Sequence, residues 1–306
     1  MKLIGENIHI ISKSVRDALV NRNETFVNNL INLQKKLEYI DLNVGPAKGE
    51  LENILPWLCR LVEEQTELKI CFDTTNSDEM RRGLAACKNS FSAFINSTSK
   101  DEPRFSAMSA LSAEYNCNLI VLTMGKETGI PKSADGRLEI AFEIYENCME
   151  RGIESYKLYF DPLILPVTVE QSQCREALHT IQMIKESFDP PVNTVVGLSN
   201  ISNGAPKELR PLINRVFAVL AYGAGLDAAI IDACDDELIR IFKMLENKTP
   251  ENDIDKLYLN LADMIAGFGE LEDVKFDETS REQKIIIKTA DILLNRKIYS
   301  HSFTQI

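Results

Sequence analysis

Long apolar runs and an excess of basic residues are both missing from this sequence. No stretch approaches the ~20 apolar residues that a membrane-spanning helix needs. The N-terminal stretch MKLIGENIHIISKS is interrupted by Glu6 and Asn7 and has no small-residue cleavage site, which argues against a signal peptide. The formal net charge of −12 disfavours binding to phosphate backbones and to acidic membrane surfaces. We therefore expect a cytoplasmic protein that binds neither nucleic acid nor a membrane.

Motifs that bind metals or dinucleotides are missing as well. The 7 cysteines stand singly, without a Cys-x-x-Cys pair, which is typical of a reduced intracellular chain. The 3 histidines are isolated from the cysteines, so no zinc site of the usual spacing is predicted and no metal is assigned to the active site. Spacing leaves open that ligands far apart in sequence converge in space. A Gly-x-Gly-x-x-Gly fingerprint of dinucleotide-binding sheets is also lacking.

What the sequence does contain is a series of eight short apolar runs, each about as long as a β-strand. Most are apolar at consecutive positions, as expected for parallel strands that are buried on both faces. Segments with helical periodicity lie between them. This alternation predicts a single-domain α/β protein, a (β/α)8 TIM barrel over residues 1–306, in preference to a doubly wound open sheet. The runs begin at Leu3, Glu38, Leu68, Ser92, Leu119, Leu158, Asn193 and Leu226.

Residues 245–283 depart from this alternation after the eighth run. They contain one amphipathic segment, from about Asp253 to Ala266, and then an acidic loop. A final helix is predicted from about Ser280 to Leu294. We interpret residues 245–283 as an insertion within the last crossover of the barrel, and not as a second domain.

Polar residues gather at the ends of several predicted strands, where a barrel of this type carries its active face. A single such residue usually caps the next helix, but several on one rim indicate a ligand with many donors and acceptors. A flat heterocycle with an amino group, ring N–H groups and a carbonyl fits, whereas Asp73 and Asp161 would repel a phosphate. The strand-end residues are Asp41, Asn43, Asp73, Thr74, Asn76, Asn96, Ser97, Thr98, Asp161, Ser199 and Asn200.

Seven short motifs occur in an order that closely resembles the methyltetrahydrofolate:corrinoid protein methyltransferases. They are DLNVGPA, CFDTTN, INST, LTMGKETGIPK, DPLILPV, GLSN and RPLINRVF. That family shares its pterin-binding barrel with dihydropteroate synthase and with the folate domain of cobalamin-dependent methionine synthase. The resemblance implies methyltetrahydrofolate or tetrahydrofolate as substrate and cobalamin carried by a separate corrinoid protein. It also implies a homodimer. The apolar segment LINRVFAVLAYGAG could support an interface, but the sequence alone favours its packing on the barrel.

The resemblance implies roles for eight positions of this chain. Asn200 matches the mobile asparagine that reaches N5, the nitrogen that carries the methyl group, and is the predicted catalytic residue. The predicted substrate-binding residues are Asp73, Asn96 and Asp161 against the pterin ring, Gly197 and Ser199 in the pocket wall, and Asn203 and Arg210 at the rim. The loop that holds the two rim residues is about two residues longer than usual. His9 stands where many relatives have asparagine, and it is assigned no role.

Two other functions remain open from the sequence. A dihydropteroate synthase would need a Ser-x-Arg-Pro-Gly loop after the second strand and an Arg-x-His near the eighth, and this chain has DLNVGPAKGE and IIDACDDE there. A non-catalytic pterin-binding protein is the third hypothesis, against which the intact GLSN motif argues. The direction of methyl transfer, to or from the folate, is not determined by the sequence.

Overall fold

The computed structural model describes residues 1–305 and forms a closed barrel of eight parallel strands, paired in the order in which they occur along the chain. The predicted (β/α)8 barrel is therefore confirmed. Each strand pairs only with parallel neighbours, and β1 closes the barrel against β8. The strands are β1 (Lys2–His9), β2 (Tyr39–Gly45), β3 (Lys69–Thr74), β4 (Phe94–Thr98), β5 (Asn118–Leu122), β6 (Leu158–Asp161), β7 (Asn193–Gly197) and β8 (Ala228–Ile231).

Helices form a shell around the barrel, and within residues 1–305 none is long and apolar enough to cross a membrane. Two helices lie between β1 and β2, one in each crossover from β2 to β8, and three after β8. They are α1 (Lys13–Val20), α2 (Glu24–Gln34), α3 (Ile54–Gln65), α4 (Ser77–Ala86), α5 (Arg104–Tyr115), α6 (Ala134–Glu150), α7 (Ser172–Ser187), α8 (Arg210–Gly223), α9 (Asp236–Asn247), α10 (Asp253–Ala266) and α11 (Arg281–Leu293).

The lower half of the barrel interior is mostly apolar and closely packed. One side chain from each strand fills it, and all of them are buried. Aromatic rings meet edge to face across the centre, with 5.1 Å between the ring centroids of Tyr39 and Phe94 and 4.7 Å between those of Phe94 and Tyr159. Such contacts stabilise the core beyond the burial of area alone. This floor leaves only the upper, C-terminal half of the barrel for a ligand.

Helix α10 is part of the outer shell and not an exposed appendage. Its apolar face is buried through Leu257 and Leu261, and the helix packs closely on α8. A Cβ on Gly223 of α8 would lie 2.3 Å from the carbonyl oxygen of Ala262, so the close approach requires glycine. The bounds of α10 agree with the amphipathic segment expected from the sequence. That residues 245–283 are an insertion within a single domain stays a prediction.

The apolar helix α8 owes its composition to this packing. Its buried residues face the barrel on one side and α10 and α11 on the other. The helix is thus covered by its own chain, as the sequence alone favours, and a homodimer stays a prediction.

Candidate functional site

The upper half of the barrel interior is polar, in contrast to the floor. On five strands, a carboxylic acid or amide follows two positions after the residue that fills the floor. Because side chains alternate along a strand, each of these groups points towards the barrel axis at the C-terminal mouth. The five residues are Glu6, Asp41, Asp73, Asn96 and Asp161, after Ile4, Tyr39, Cys71, Phe94 and Tyr159.

Three neighbouring strands bring two of the predicted residues, Asp73 and Asn96, together. Asn43, Asp73 and Asn96 lie at the same level in the register of β2, β3 and β4. The amide of Asn43 donates a hydrogen bond to Asp73, and the amide of Asn96 donates one of 3.3 Å to Asp41. The result is a polar patch of two adjacent hydrogen-bonded pairs, in which Asp41 and Asn43 accompany Asp73 and Asn96.

The carboxylic acids of this patch are held where ionisation is costly. Burial raises the pKa of Asp73 to about 7, although the charge of Arg104 and the hydrogen bond from Asn43 oppose the shift. Burial also raises the pKa of Asp41 well above its usual value, and the nearby charge of Asp73 adds to the effect. A ligand that donates N–H groups to these oxygens would replace the lost hydration and favour the ionised form.

Asp161 lies at the mouth at the end of β6, three strands away from Asp73 on β3. Burial raises its pKa to about 6, against the effect of a 2.7 Å hydrogen bond from the backbone N–H of Leu163 and of the charge of Arg137. Arg137 is itself fully buried on α6, and its guanidinium donates to Gln173 and to the carbonyl of Pro131. The mouth therefore carries acceptors on two separate sides.

The GLSN motif turns the chain out of β7. A single 3₁₀ turn, Leu198–Ser202, follows Gly197 directly. The hydroxyl of Ser199 donates to Glu6, whose pKa is raised by burial, so the motif contacts the polar layer of the interior. A Cβ on Gly197 would lie 3.0 Å from the Nδ2 atom of Asn200. The glycine thus leaves room for the Asn200 amide over the end of its own strand.

Asn200 is an exposed side chain on a well-held backbone. Ile201 and Ser202 beside it are buried, the carbonyl of Ile201 accepts from Val167, and the hydroxyl of Thr168 donates to the carbonyl of Asn203. Within residues 1–305, the only hydrogen-bond partner found for the Asn200 amide is the Asn203 side chain, at the limiting distance of 3.5 Å. An asparagine that caps a turn would accept from a backbone N–H, and this one does not.

The remaining predicted residues border a neighbouring cleft of about 600 Å³ between the β7–α8 and β8–α9 connections. Ser199, Asn203 and Arg210 line it, together with Glu6 and Asp232 among others. The Nε–H of Arg210 donates to the carbonyl of Ala205 at 2.9 Å, which fixes the guanidinium at the cleft wall. The lining does not include Asp73, Asn96, Asp161, Gly197 and Asn200. The eight predicted positions thus divide between the barrel mouth and this cleft, which meet at Ser199.

Two side chains of the candidate site were missed from the sequence alone. Glu6 interrupts an apolar run, and its position two residues after buried Ile4 was the available signal that it faces the interior. Arg104 is the first residue of α5, its charge lowers the pKa of Asp73, and one guanidinium N–H is donated to the carbonyl of Ser97. Its proximity depends on how the β4–α5 connection folds back, for which the sequence carries no local signal.

Comparisons with known proteins identify the family of the chain. A model of the pterin binding enzyme family matches residues 41–232, more than half of the chain. A methylcorrinoid:tetrahydrofolate methyltransferase from Eubacterium limosum is 25% identical over 244 residues, which cover 78% of this chain and 88% of that protein. A methionine synthase from Mycobacterium tuberculosis is 31% identical over 183 residues, 57% of this chain and only 15% of the synthase.

Solved structures show the same fold. A dihydropteroate synthase from Yersinia pestis superimposes with a TM-score of 0.57 at 16% identity, over 80% of this chain and 93% of that one. A dihydropteroate synthase from Xanthomonas albilineans gives a TM-score of 0.57 at 16% identity over 81% and 93%. At this level of identity the likeness concerns the barrel and not its chemistry.

Proposed function

Because this chain belongs to the pterin binding enzyme family, we propose that it is a methyltransferase that moves a methyl group between N5 of methyltetrahydrofolate and the cobalt of a corrinoid protein. The observation that carries the proposal is the exposed amide of Asn200, held above a mouth of buried acceptors. The match to the Eubacterium limosum methyltransferase, which spans most of both chains, supports it further.

The mouth suits the pterin ring because its groups complement those of the ring. Asp73 and Asp161 accept hydrogen bonds from ring N–H and amino groups, and Asn96 can both donate and accept. In the free protein the burial of the two carboxylic acids raises their pKa values, and the ring supplies donors in addition to Asn43 and the Leu163 N–H. Each hydrogen bond to an ionised partner contributes about 1.5–3 kcal/mol.

The role of Asn200 follows from the charge change at N5. The methyl group can leave N5 only if that nitrogen gains positive character, since a tertiary amine is a poor leaving group. An N–H of the Asn200 amide, donated to N5, strengthens as the C–N bond breaks and thereby stabilises the transition state. The fixed backbone beneath Asn200 lets this donor be held in place before the reaction begins. We assign the proton that N5 finally receives to solvent.

The corrinoid, bound to a partner protein, supplies the cobalt that exchanges the methyl group. That partner must approach the mouth, and two large apolar side chains are exposed on loops at this face. Ile11 follows β1 and is 87% exposed, and Val169 follows β6 and is 78% exposed. Exposed apolar groups beside a polar mouth favour a protein-docking surface there. We place the corrinoid protein on this face.

We also retain the homodimer as a proposal, with an interface elsewhere than on α8. Light scattering should give about twice the chain mass of 34.5 kDa at working concentration. A particle of single mass would exclude the dimer.

An anaerobic assay tests the main proposal. The purified protein is mixed with methyltetrahydrofolate and reduced cobalamin, and then with tetrahydrofolate and methylcobalamin, while the visible spectrum of the corrinoid is followed. We expect transfer in at least one direction, and the faster one identifies the preferred direction. The same assay is applied to Asn200→Ala, which should transfer the methyl group more slowly. Its matched control is Asn32→Ala, since Asn32 is exposed on the outside of α2.

Each other outcome points to a different function. Pterin binding without transfer, in either direction and with corrinoid protein supplied, would leave a binding protein. Condensation of a pterin pyrophosphate with 4-aminobenzoate would make the chain a synthase and overturn the methyltransferase proposal.

A further inference from the structure

A second cluster of reactive side chains lies on the outside of the barrel, between α3 and α4. It consists of Cys59 and Glu63 on α3 and Cys87 directly after α4. The two sulfur atoms and a carboxylate oxygen all lie within 4.8 Å of one another. Cys59 is buried, whereas Glu63 and Cys87 are partly exposed. None of the three contributes to the barrel mouth or to the neighbouring cleft.

The local structure explains why these residues meet. Cys59 and Glu63 are four residues apart on one helix and therefore share a face. Cys87 is held at the end of α4 by hydrogen bonds from its backbone N–H to the carbonyls of Gly83 and Leu84. A Cβ on Gly83 would lie 2.9 Å from the ring of Phe72, so this glycine lets α4 pack closely against the barrel. The cluster thus stands on two well-packed elements.

The donor set is suited to a soft or borderline divalent cation. Two thiolates and a carboxylate are common ligands of zinc, which takes four donors in a tetrahedron. At zinc bond lengths of about 2.0–2.3 Å the donors stand roughly 3.7 Å apart, a separation that modest side-chain movement from the present positions would reach.

The surroundings orient the carboxylate and leave room for a fourth ligand. The backbone N–H of Lys88 donates to Oε1 of Glu63 at 2.7 Å, as outer partners of metal-bound carboxylates do. The other oxygen, Oε2, lies 3.8 Å from the ammonium of Lys88. A cavity of about 230 Å³ adjoins Glu63 and Cys87, and Thr66 and Ser92 line it as well. A water molecule in this cavity can complete the tetrahedron.

We propose that Cys59, Glu63 and Cys87 form a zinc-binding site that joins the end of α4 to α3. In the chain these two helices flank β3, the strand that carries Asp73. A metal at this position closes the α3–β3–α4 unit from outside and stabilises it without touching the pterin. The proposal is independent of the reaction proposed above.

Cobalt(II) serves as the spectroscopic probe for the test. The reduced full-length protein is freed of metal with a chelator, titrated with cobalt(II), and then titrated with zinc(II) as a competitor. We expect one equivalent to give thiolate-to-cobalt charge-transfer absorption and the visible bands of a tetrahedral ion, both removed by zinc. Zinc should also raise the melting temperature, because it binds the folded chain.

Variants separate this site from adventitious binding. Cys87→Ala should lose the charge-transfer intensity of one thiolate and weaken binding more than tenfold, and Glu63→Gln should weaken binding while both thiolate contributions persist. The matched control is Cys117→Ala, because Cys117 is a buried thiol outside the cluster. Circular dichroism of the metal-free variants shows whether they are folded.

Three results would overturn the proposal. The first is equal cobalt affinity in folded Cys87→Ala and in the parent chain. The second is the same loss of affinity in Cys117→Ala. The third is evidence that Cys59 and Cys87 form a disulfide instead. The non-reduced chain would then be lighter by two hydrogens, Cys87→Ala would not show this mass difference, and the reduced chain would bind no metal.

Discussion

The floor and the mouth of the barrel are built from the same strands yet have opposite chemistry. Tyr39 and Asp41 are two residues apart on β2, and Phe94 and Asn96 are two residues apart on β4. The first of each pair is packed among apolar and aromatic groups, and the second lies in the polar patch. One step of the strand period therefore separates a group packed in the apolar floor from one that we propose holds the ligand. This contrast predicts that substitutions two residues apart have different consequences.

The largest expected effect is on the floor. Phe94→Ala removes a fully buried ring that contacts Tyr39 and Tyr159, and should reduce the free energy of unfolding by about 3–5 kcal/mol. Asn96→Ala, two residues later, should change stability far less and weaken pterin binding. Denaturant unfolding and calorimetric titration of both variants measure the contrast. Equal losses of stability would show that the two layers are not functionally distinct.

The next effect concerns the rate of the proposed reaction. Asn200→Ala should slow methyl transfer by about 10²–10³-fold and change folate affinity much less, because the amide acts chiefly in the transition state. Single-turnover kinetics with excess reduced corrinoid protein provide the measurement. A near-normal rate in the folded variant would remove Asn200 from the mechanism, whereas lost stability with a normal rate would make it a turn residue.

A smaller effect is expected on affinity at the two sides of the mouth. Asp73→Ala and Asp161→Ala should each weaken folate binding by about tenfold to a hundredfold, because each removes one charged acceptor. Isothermal titration of the folded variants tests this. Unchanged affinity in both would place the pterin elsewhere, and loss in only one would assign the ring to that side.

The smallest effect is a gain in stability at the mouth. Since the pKa of Asp73 is raised to about 7 from a usual value of 3.8, the folded chain favours its protonated form. The associated stability is complete below about pH 4 and is lost as the pH rises through about 7. Asp73→Asn should therefore stabilise the ligand-free protein at pH 8 by about 1–3 kcal/mol and flatten its pH dependence. Melting curves from pH 5 to 8 test this, and an unaltered profile would contradict it.

The same ionisation links pH to ligand binding. A pterin that donates N–H groups binds the ionised form of Asp73, so its affinity should fall as the pH drops below about 7. Above about pH 7, ionised Asp73 would then lower the stability of the ligand-free protein while raising its affinity for the pterin. Such a loss of stability is expected where a buried acid serves function. The floor contains no carboxylic acid, so substitutions there should not alter how stability or ligand affinity depends on pH.

Local patterns in the sequence were sufficient for most of the architecture. Consecutive apolar residues marked the strands, and helical periodicity located α10 and the start of α11 after Ser280, its N-cap. The polar ends of β2, β3, β4 and β6 also followed from the sequence, because parallel strands must end on one face. Glu6 was overlooked because a single charged residue within an apolar run has no partner nearby in sequence to show its purpose.

The sequence by itself determined that the chain alternates between strand and helix and that its strands end in acids and amides. These properties depend on dihedral preferences and side-chain alternation, which act over a few residues. Only the tertiary structure decided that Arg104 acts on Asp73, that α10 covers α8, and that Cys59 meets Cys87. Such contacts join residues far apart in the chain, and they depend on how the barrel closes and its helices pack, which no local pattern encodes.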